Sequence, residues 1–251
     1  MQKNICIKVE YDGSPFAGWQ RQLGSRTIQA EIEKIIQRVT GQETAIYGAG
    51  RTDSGVHARG QVCNFFTDYR AEAERWVSIF NYFLPPEIRV CESREMPLEF
   101  HSQRHALSKI YEYRVLNRRY ASALDPHALF FPRSLDWERI REALPLFVGE
   151  KDFRSFQGAK ANVKTTVREI LRFELDDSRR SEGLYRLEIE GTGFLKQMVR
   201  AIVGTLLKVG ERRLDISGLP RIIEGKDRRL AGATAPACGL CLVKVNYGWI
   251  S

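Results

Sequence analysis

One stretch of the chain concentrates residues able to do chemistry: Gly48-Ala49-Gly50-Arg51-Thr52-Asp53-Ser54-Gly55-Val56-His57-Ala58-Arg59-Gly60-Gln61. Its glycines invite comparison with nucleotide-binding loops, and both comparisons fail. A dinucleotide fingerprint needs a glycine where Asp53 stands, and a P-loop needs Lys and Ser/Thr where Val56 and His57 stand. What remains is a glycine-flanked carboxylate with Arg51 two residues before it. Glycines let the backbone turn tightly and let a substrate come close. A neighbouring cation favours the ionised carboxylate, the form that attacks carbon. Asp53 is therefore suited to be a nucleophile. A turn-stabilising aspartate, bonded to its own backbone and paired with Arg51 or not, is the other reading that local chemistry leaves open.

Other candidates are weaker. Cys238-Gly239-Leu240-Cys241 is a C-x-x-C pair, but zinc needs two further ligands and no second pair exists. A redox pair belongs at a helix start, whereas this one opens a strand pattern, so neither metal nor redox cofactor is expected. His101 and His105 are four apart but lie outside any helical pattern and lack a third ligand nearby. His57 reads as a loop-stabilising residue rather than a general base. The five cysteines are odd in number and scattered, which suits free thiols in a reducing compartment.

Lys and Arg outnumber Asp and Glu by 39 to 31, for a net charge of +8, which favours phosphate-bearing partners without identifying one. Arg104, Lys109, Arg114, Arg118 and Arg119, interleaved with Tyr111, Tyr113 and Tyr120, read as a strip for an RNA backbone or as a solvated strand face. Lys226, Arg228 and Arg229 form a second basic group, able to reach phosphates or simply to end a helix. No apolar run reaches spanning length and Met1-Gln2-Lys3-Asn4 leads straight into an alternating pattern, so a cytoplasmic protein without membrane contact is expected.

The elements that must position these residues follow from periodicity. Ile5, Ile7, Val9 and Tyr11 alternate as a strand that Asp12-Gly13-Ser14-Pro15 ends. Ile28, Ile32, Ile35, Ile36 and Val39 are spaced as a helix, with Ser25 or Thr27 as cap and Gly41 as stop. Strands at 44–48 and 61–66, a helix at 72–83 and a strand at 88–95 complete a βαββαβ order. The second half repeats it: strand 109–116, a helix at 136–148 that Pro145 kinks or ends, strands 167–175 and 184–190, a helix at 195–209 closed by Gly210, and strand 240–247. The expected fold is α+β: two pseudo-repeated βαββαβ (ferredoxin-like) halves, residues 1–104 and 105–251. They are expected to form a largely antiparallel sheet with helices on one face and a central RNA-binding cleft.

The run Gly50-Arg51-Thr52-Asp53-Ser54-Gly55-Val56-His57-Ala58 closely resembles the signature of the bacterial TruA family of tRNA pseudouridine synthases. The resemblance continues in order along the chain. It includes Tyr11-Asp12-Gly13, Gly18-Trp19-Gln20-Arg21-Gln22, Asn81-Tyr82-Phe83-Leu84-Pro85, Phe100-His101, Lys109-Ile110-Tyr111-Glu112-Tyr113, Asp152-Phe153-Arg154-Ser155-Phe156, Gly193-Phe194-Leu195-Lys196-Gln197-Met198-Val199-Arg200 and Gly239-Leu240. It implies that Asp53 is the nucleophile, that Tyr111 stacks on a flipped base, that Arg51 helps hold the flipped site and that Arg200 is a basic partner of the aspartate. It also implies a homodimer, a tRNA substrate and no cofactor, small-molecule or metal. The family's target is the anticodon stem-loop at about positions 38 to 40, where an A-form stem offers mainly phosphates and 2′-hydroxyls to a shape-reading protein. Whether the carboxylate attacks sugar or base stays open.

Two departures stand out. The family's Phe-His-Ala-Arg reads Phe100-His101-Ser102-Gln103 here, with Arg104 one place late as its possible substitute. A Gly-Leu-Tyr-Leu run reads Gly239-Leu240-Cys241-Leu242, which puts a thiol where the family has an aromatic. The rival from another class is a non-catalytic tRNA-binding or tRNA-folding protein on the same fold, against which Asp53 argues.

Overall fold

The structure, a computed structural model, describes residues 1–159 and 163–248. It is a mixed α+β chain with strands that pair mostly antiparallel, as expected. Two compact units divide it: Met1–Leu107 together with the chain from Cys241, and Ser108–Leu240.

The first unit runs β1 (Lys3–Tyr11), α1 (Ile28–Thr40), β2 (Tyr47–Gly48), β3 (His57–Thr67), α2 (Arg75–Phe83) and β4 (Ile88–Met96). This is the βαββαβ order. Its strands lie in the order β4-β1-β3, with β2 antiparallel on the far edge of β3. The register sets Ile5 opposite Phe65 and Ile7 opposite Cys63, so one face of β1 and β3 is continuously apolar. Phe65 meets Trp76 and Phe80 of α2 edge-on at 5.0 and 6.0 Å. Thr27 caps α1, accepting from the Ala30 amide, and Gly41 ends it at φ 75°.

On the opposite face two residues are polar, buried and paired. Asn4 and Asn64 are both inaccessible to solvent. The Asn4 amide donates to the Pro97 and Phe100 carbonyls, each at 2.9 Å, and the Asn64 amide donates to Asn4 Oδ1 at 2.9 Å. Asn64 Oδ1 accepts from the Ser102 amide at 3.0 Å. Asn64→Ala strands the Asn4 acceptor and the Ser102 donor, so it should cost about 2–4 kcal/mol. Urea unfolding that gives a lower midpoint with an unchanged slope is the expected result.

The second unit runs β5 (Ser108–Leu116), β6 (Leu129–Phe130), α3 (Trp137–Ala143), β7 (Gly149–Asp152), β8 (Val167–Asp176), β9 (Leu184–Gly191), α4 (Met198–Gly210) and α5 (Leu219–Glu224). Its strands lie in the order β5-β9-β8-β7, with β6 on β5. Pro145 has the expected effect: α3 stops at Ala143 and a single 3₁₀ turn, Leu144–Phe147, carries the proline.

The last strand, β10 (Leu240–Asn246), lies parallel to the start of β3, with Cys241 opposite His57 and Leu242 opposite Ala58. From Cys241 on it belongs to the first unit. That pairing corrects the expected start of β3. Residues 57–60, read as part of the loop, are strand, with Ala58 paired to Tyr11 of β1 on one side and to Leu242 of β10 on the other. The helix expected from 195 begins at Met198, since Gln197 takes φ 60° and breaks the spiral.

Candidate active site

In the first unit, the loop between β2 and β3 is tied down residue by residue. The Ala49 amide donates to the Val62 carbonyl at 2.8 Å, and buried Gln61 donates from Nε2 to the Gly50 carbonyl at 2.8 Å. The same Nε2 lies 3.5 Å from the Tyr11 hydroxyl oxygen, which is 2.9 Å from Thr52 Oγ1. Either hydroxyl of the Tyr11–Thr52 pair can be the donor, and the Tyr11 phenol keeps its proton. Burial pushes the Tyr11 phenol well above its ordinary pKa, so that proton stays in place. The Thr52 carbonyl accepts from the Trp19 amide at 3.1 Å.

Beyond Thr52 the chain makes a tight turn, the Asp53 carbonyl accepting from the Val56 amide at 3.1 Å, with Gly55 at φ 77°. The Phe16 carbonyl holds the turn from outside, accepting from Ser54 Oγ at 3.2 Å and from the Gly55 amide at 3.3 Å. Two glycines let the Tyr11–Trp19 segment lie this close. A Cβ on Gly13 would stand 2.0 Å from the Val56 carbonyl oxygen. A Cβ on Gly18, at φ 93°, would stand 2.7 Å from the Thr52 oxygen and 3.1 Å from the Asp53 carbonyl carbon.

Asp53 itself is half-buried at the head of this turn, and Arg51 is exposed. Arg51 forms no ion pair with Asp53 or any other carboxylate among the described residues, so the structure does not show the local pairing that the sequence suggested. His57 is buried, and its Nδ1 accepts from the Gly13 amide at 3.1 Å, with Asp12 Oδ1 also at 3.1 Å. It joins the loop to the end of β1, in keeping with a structural role.

Sequence reasoning met Tyr11 and Gly13 at the end of a strand pattern and Gly18 and Trp19 only as points of resemblance, and the work of all four as clamps of the Asp53 loop was missed. The available signal was Gly13 directly after an alternating strand. Gln61 gave none beyond closing the glycine-rich run.

Tyr111 and Arg200 belong to the second unit. Tyr111 sits mid-way along β5, 6% exposed, opposite Ile189, with the Phe194 ring edge-on at 5.1 Å. Gly191 makes room for that ring, since a Cβ there would stand 3.0 Å from it. Arg200 lies in the first turn of α4, half-buried, and donates from Nε to the Ala235 carbonyl at 2.7 Å. The Ala235 amide returns a bond to the Arg200 carbonyl at 3.0 Å.

The basic strip does not form one surface. Strand alternation turns Tyr111 and Tyr113 to the buried side, while Arg114 donates from Nε to Glu112 at 2.5 Å on the other. Lys109 is half-buried, and burial lowers its ammonium pKa. Arg118, Arg119 and Tyr120 remain exposed. The cysteines at 238 and 241 are free thiols. Cys238 points to the Ala128 carbonyl and Cys241 to the Leu242 carbonyl, and burial raises the Cys238 pKa, which disfavours the thiolate that metal or redox chemistry needs. His101 and His105 bond one another's turn, the His101 amide donating to His105 Nδ1 at 3.0 Å. Ser102 is buried, whereas Gln103 and Arg104 are exposed beside it.

Comparison with known proteins concerns the chain as a whole. The family model described as tRNA pseudouridine synthase matches residues 7–103 and 143–248. Relatives named tRNA pseudouridine synthase A include one from Acetivibrio thermocellus, 40% identical over 98% of this chain and 100% of its own. Another, from Clostridium acetobutylicum, is 39% identical over 98% of this chain and 100% of its own. One from Geobacter sp. is 40% identical over 98% and 99%. A solved chain from the archaeal box H/ACA sRNP Nop10-Cbf5 complex aligns with 81% of this chain and 44% of its own, at 13% identity and a TM-score of 0.37. With a family model matched across both units and relatives of 40% identity from end to end, this chain belongs to the tRNA pseudouridine synthase family.

Proposed function

We propose that this protein isomerises uridine to pseudouridine in the anticodon stem-loop of tRNA, with the Asp53 carboxylate as nucleophile. The observation that carries the assignment of Asp53 is its setting: a half-buried carboxylate at the head of a turn whose backbone is held from both sides. A group fixed in this way loses little freedom when a substrate arrives, and that fixity is what nucleophilic attack on one carbon requires.

In the reaction, the C1′–N1 bond of the target nucleotide breaks and a C1′–C5 bond forms. The C5 proton leaves to solvent and N1 regains a proton. Nothing is oxidised or reduced overall, so the chemistry calls for no redox cofactor. The target base leaves its stack to be reached, and Tyr111 is the aromatic assigned to stack on it, with Arg51 helping to hold the opened site. Arg200, which the family resemblance makes the basic partner of the aspartate, is anchored through its Nε to the Ala235 carbonyl. The protein works as a homodimer in the cytoplasm. No helix among the described residues is long and apolar enough to cross a membrane.

Position-resolved pseudouridine mapping on unmodified tRNA transcripts, with and without the protein, tests the proposal. New pseudouridine confined to the anticodon stem-loop is expected. Modification elsewhere in the tRNA would move the target, and its absence from every transcript would leave a binding protein.

A further inference from the structure

The second unit contains a basic hollow that the reaction as described does not use. It has a volume of about 500 Å³ and is lined by Arg154, Gln157, Gly158, Lys226, Asp227 and Arg228, with Ala159 at its rim. Three of its side chains are cationic and one is acidic. The acid is already committed, because Asp227 binds Arg229 through both carboxylate oxygens at 2.7 to 3.0 Å. The Arg229 contacts hold the Asp227 carboxyl below its ordinary pKa, so it remains an anion spent on that partner. Asp152 is the other carboxylate that Lys226 and Arg154 act on, so the three cations of the hollow outnumber the acids beside them.

Those cations are held by the fold to different degrees. Arg228 is half-buried and fixed, donating to the Gly232 carbonyl at 2.7 Å and to Thr234 Oγ1 at 2.9 Å. Lys226 follows α5 at φ 52°, a left-handed conformation that a residue with a Cβ rarely takes. The next residue is pinned, the Asp227 amide donating at 2.9 Å to the hydroxyl of Ser155, which solvent does not reach. Lys226 is exposed, with its ammonium 3.5 Å from Asp152 Oδ2. Arg154 is exposed, and its charge helps to lower the pKa of the neighbouring Asp152 carboxyl. One rigid charge and two adjustable ones around an open hollow suit a singly charged oxyanion that arrives on a polymer, with oxygens on more than one side.

We propose that this hollow seats a phosphodiester of the tRNA backbone, with Arg154 and Lys226 closing on it over the fixed Arg228. The proposal rests on tRNA being the substrate, and its test reads binding rather than isomerisation. Arg154→Ala and Lys226→Ala remove the two adjustable cations, while Arg213→Ala removes the same charge from an exposed site outside the hollow. Lys226→Arg keeps the charge in place.

The affinity of each variant for a tRNA transcript is measured over a range of potassium chloride concentrations. Each alanine variant in the hollow should raise Kd roughly five-fold near 0.1 M salt and make the log Kd against log salt plot shallower by about 0.7 to 0.9. Arg213→Ala and Lys226→Arg should keep the wild-type slope. Inorganic phosphate replacing chloride at equal ionic strength should displace no tRNA, since a lone ion lacks the other contacts of the polymer. Wild-type affinity and slope in both alanine variants would overturn the proposal, as would displacement by free phosphate alone, which would make the hollow a small-anion site. If the wild-type protein forms pseudouridine and the slopes do not move, only the hollow fails. If the slopes move and no pseudouridine forms, only the isomerase reading fails.

Discussion

Asp53→Asn should bind tRNA with near wild-type affinity and release no tritium from C5-labelled uridine. The exchange keeps the side chain's shape and removes the charge that attacks carbon, so turnover should fall by at least about three orders of magnitude. Binding should survive because the bonds that hold the loop run through its neighbours. Thr52 is held by Tyr11 and Trp19, and Ser54 and Gly55 by the Phe16 carbonyl. The product has the mass of its substrate, so tritium release is the right readout, run beside a binding titration of the same variant. Release near the wild-type rate would falsify the nucleophile assignment. Loss of binding together with release would instead make Asp53 a structural turn residue, the reading its local chemistry first left open.

The second large effect is expected at a residue with no chemistry at all. Gly18→Ala places a methyl 2.7 Å from the Thr52 carbonyl oxygen and 3.1 Å from the Asp53 carbonyl carbon, at a φ of 93° that alanine resists. Left-handed strain and overpacking together should cost about 2–4 kcal/mol. Part of that is relieved by pushing the Asp53 turn away, and a displacement near 1 Å at a reacting group costs roughly 100-fold in rate. Gly24 provides the control, since it also has positive φ, 70°, but nothing lies within 4 Å of its Cβ position. Gly24→Ala should lose about 1 kcal/mol and no activity. Thermal melts and tritium release on both variants decide the matter. Equal activity losses at the two sites would mean that close approach of the Gly18 backbone does not set the position of Asp53.

Much of this architecture was legible because it is local. Alternation gave β1, and Thr27 and Gly41 bracket α1 where a hydroxyl cap and a left-handed stop belong. Pro145 stopped α3 for reasons contained in one residue. The failures share a different cause. β6 was not expected at all, and the strand expected at 44–48 is reduced to the two residues of β2; pieces of two residues are too short to show a period and exist only through their partners. The first residues of β3 are strand through Tyr11 on one side and Cys241 and Leu242 on the other, partners that no window on the sequence connects to them.

The site divides in the same way. The glycine-flanked Asp53 could be picked out by residue type and resemblance. The clamps around it, a tyrosine hydroxyl, a tryptophan amide and two missing side chains, work through backbone proximity that periodicity does not encode. The basic strip misled for the opposite reason, since it was read as a list of charges when strand alternation sends neighbours to opposite faces.

The pairing of β10 with β3 also sets an order of events during synthesis. A chain grows from its first residue at about 5 to 20 residues per second, and local structure can settle as it emerges. The strand that leads out of the Asp53 turn cannot do so fully, because Cys241 and Leu242, which lie along His57 and Ala58, are made only after the second unit up to Leu240. A nascent chain that already has α1, α2 and β4 still lacks this partner. The strand that follows Asp53 is thus completed only after the second unit has been made, although its own unit begins first in the chain.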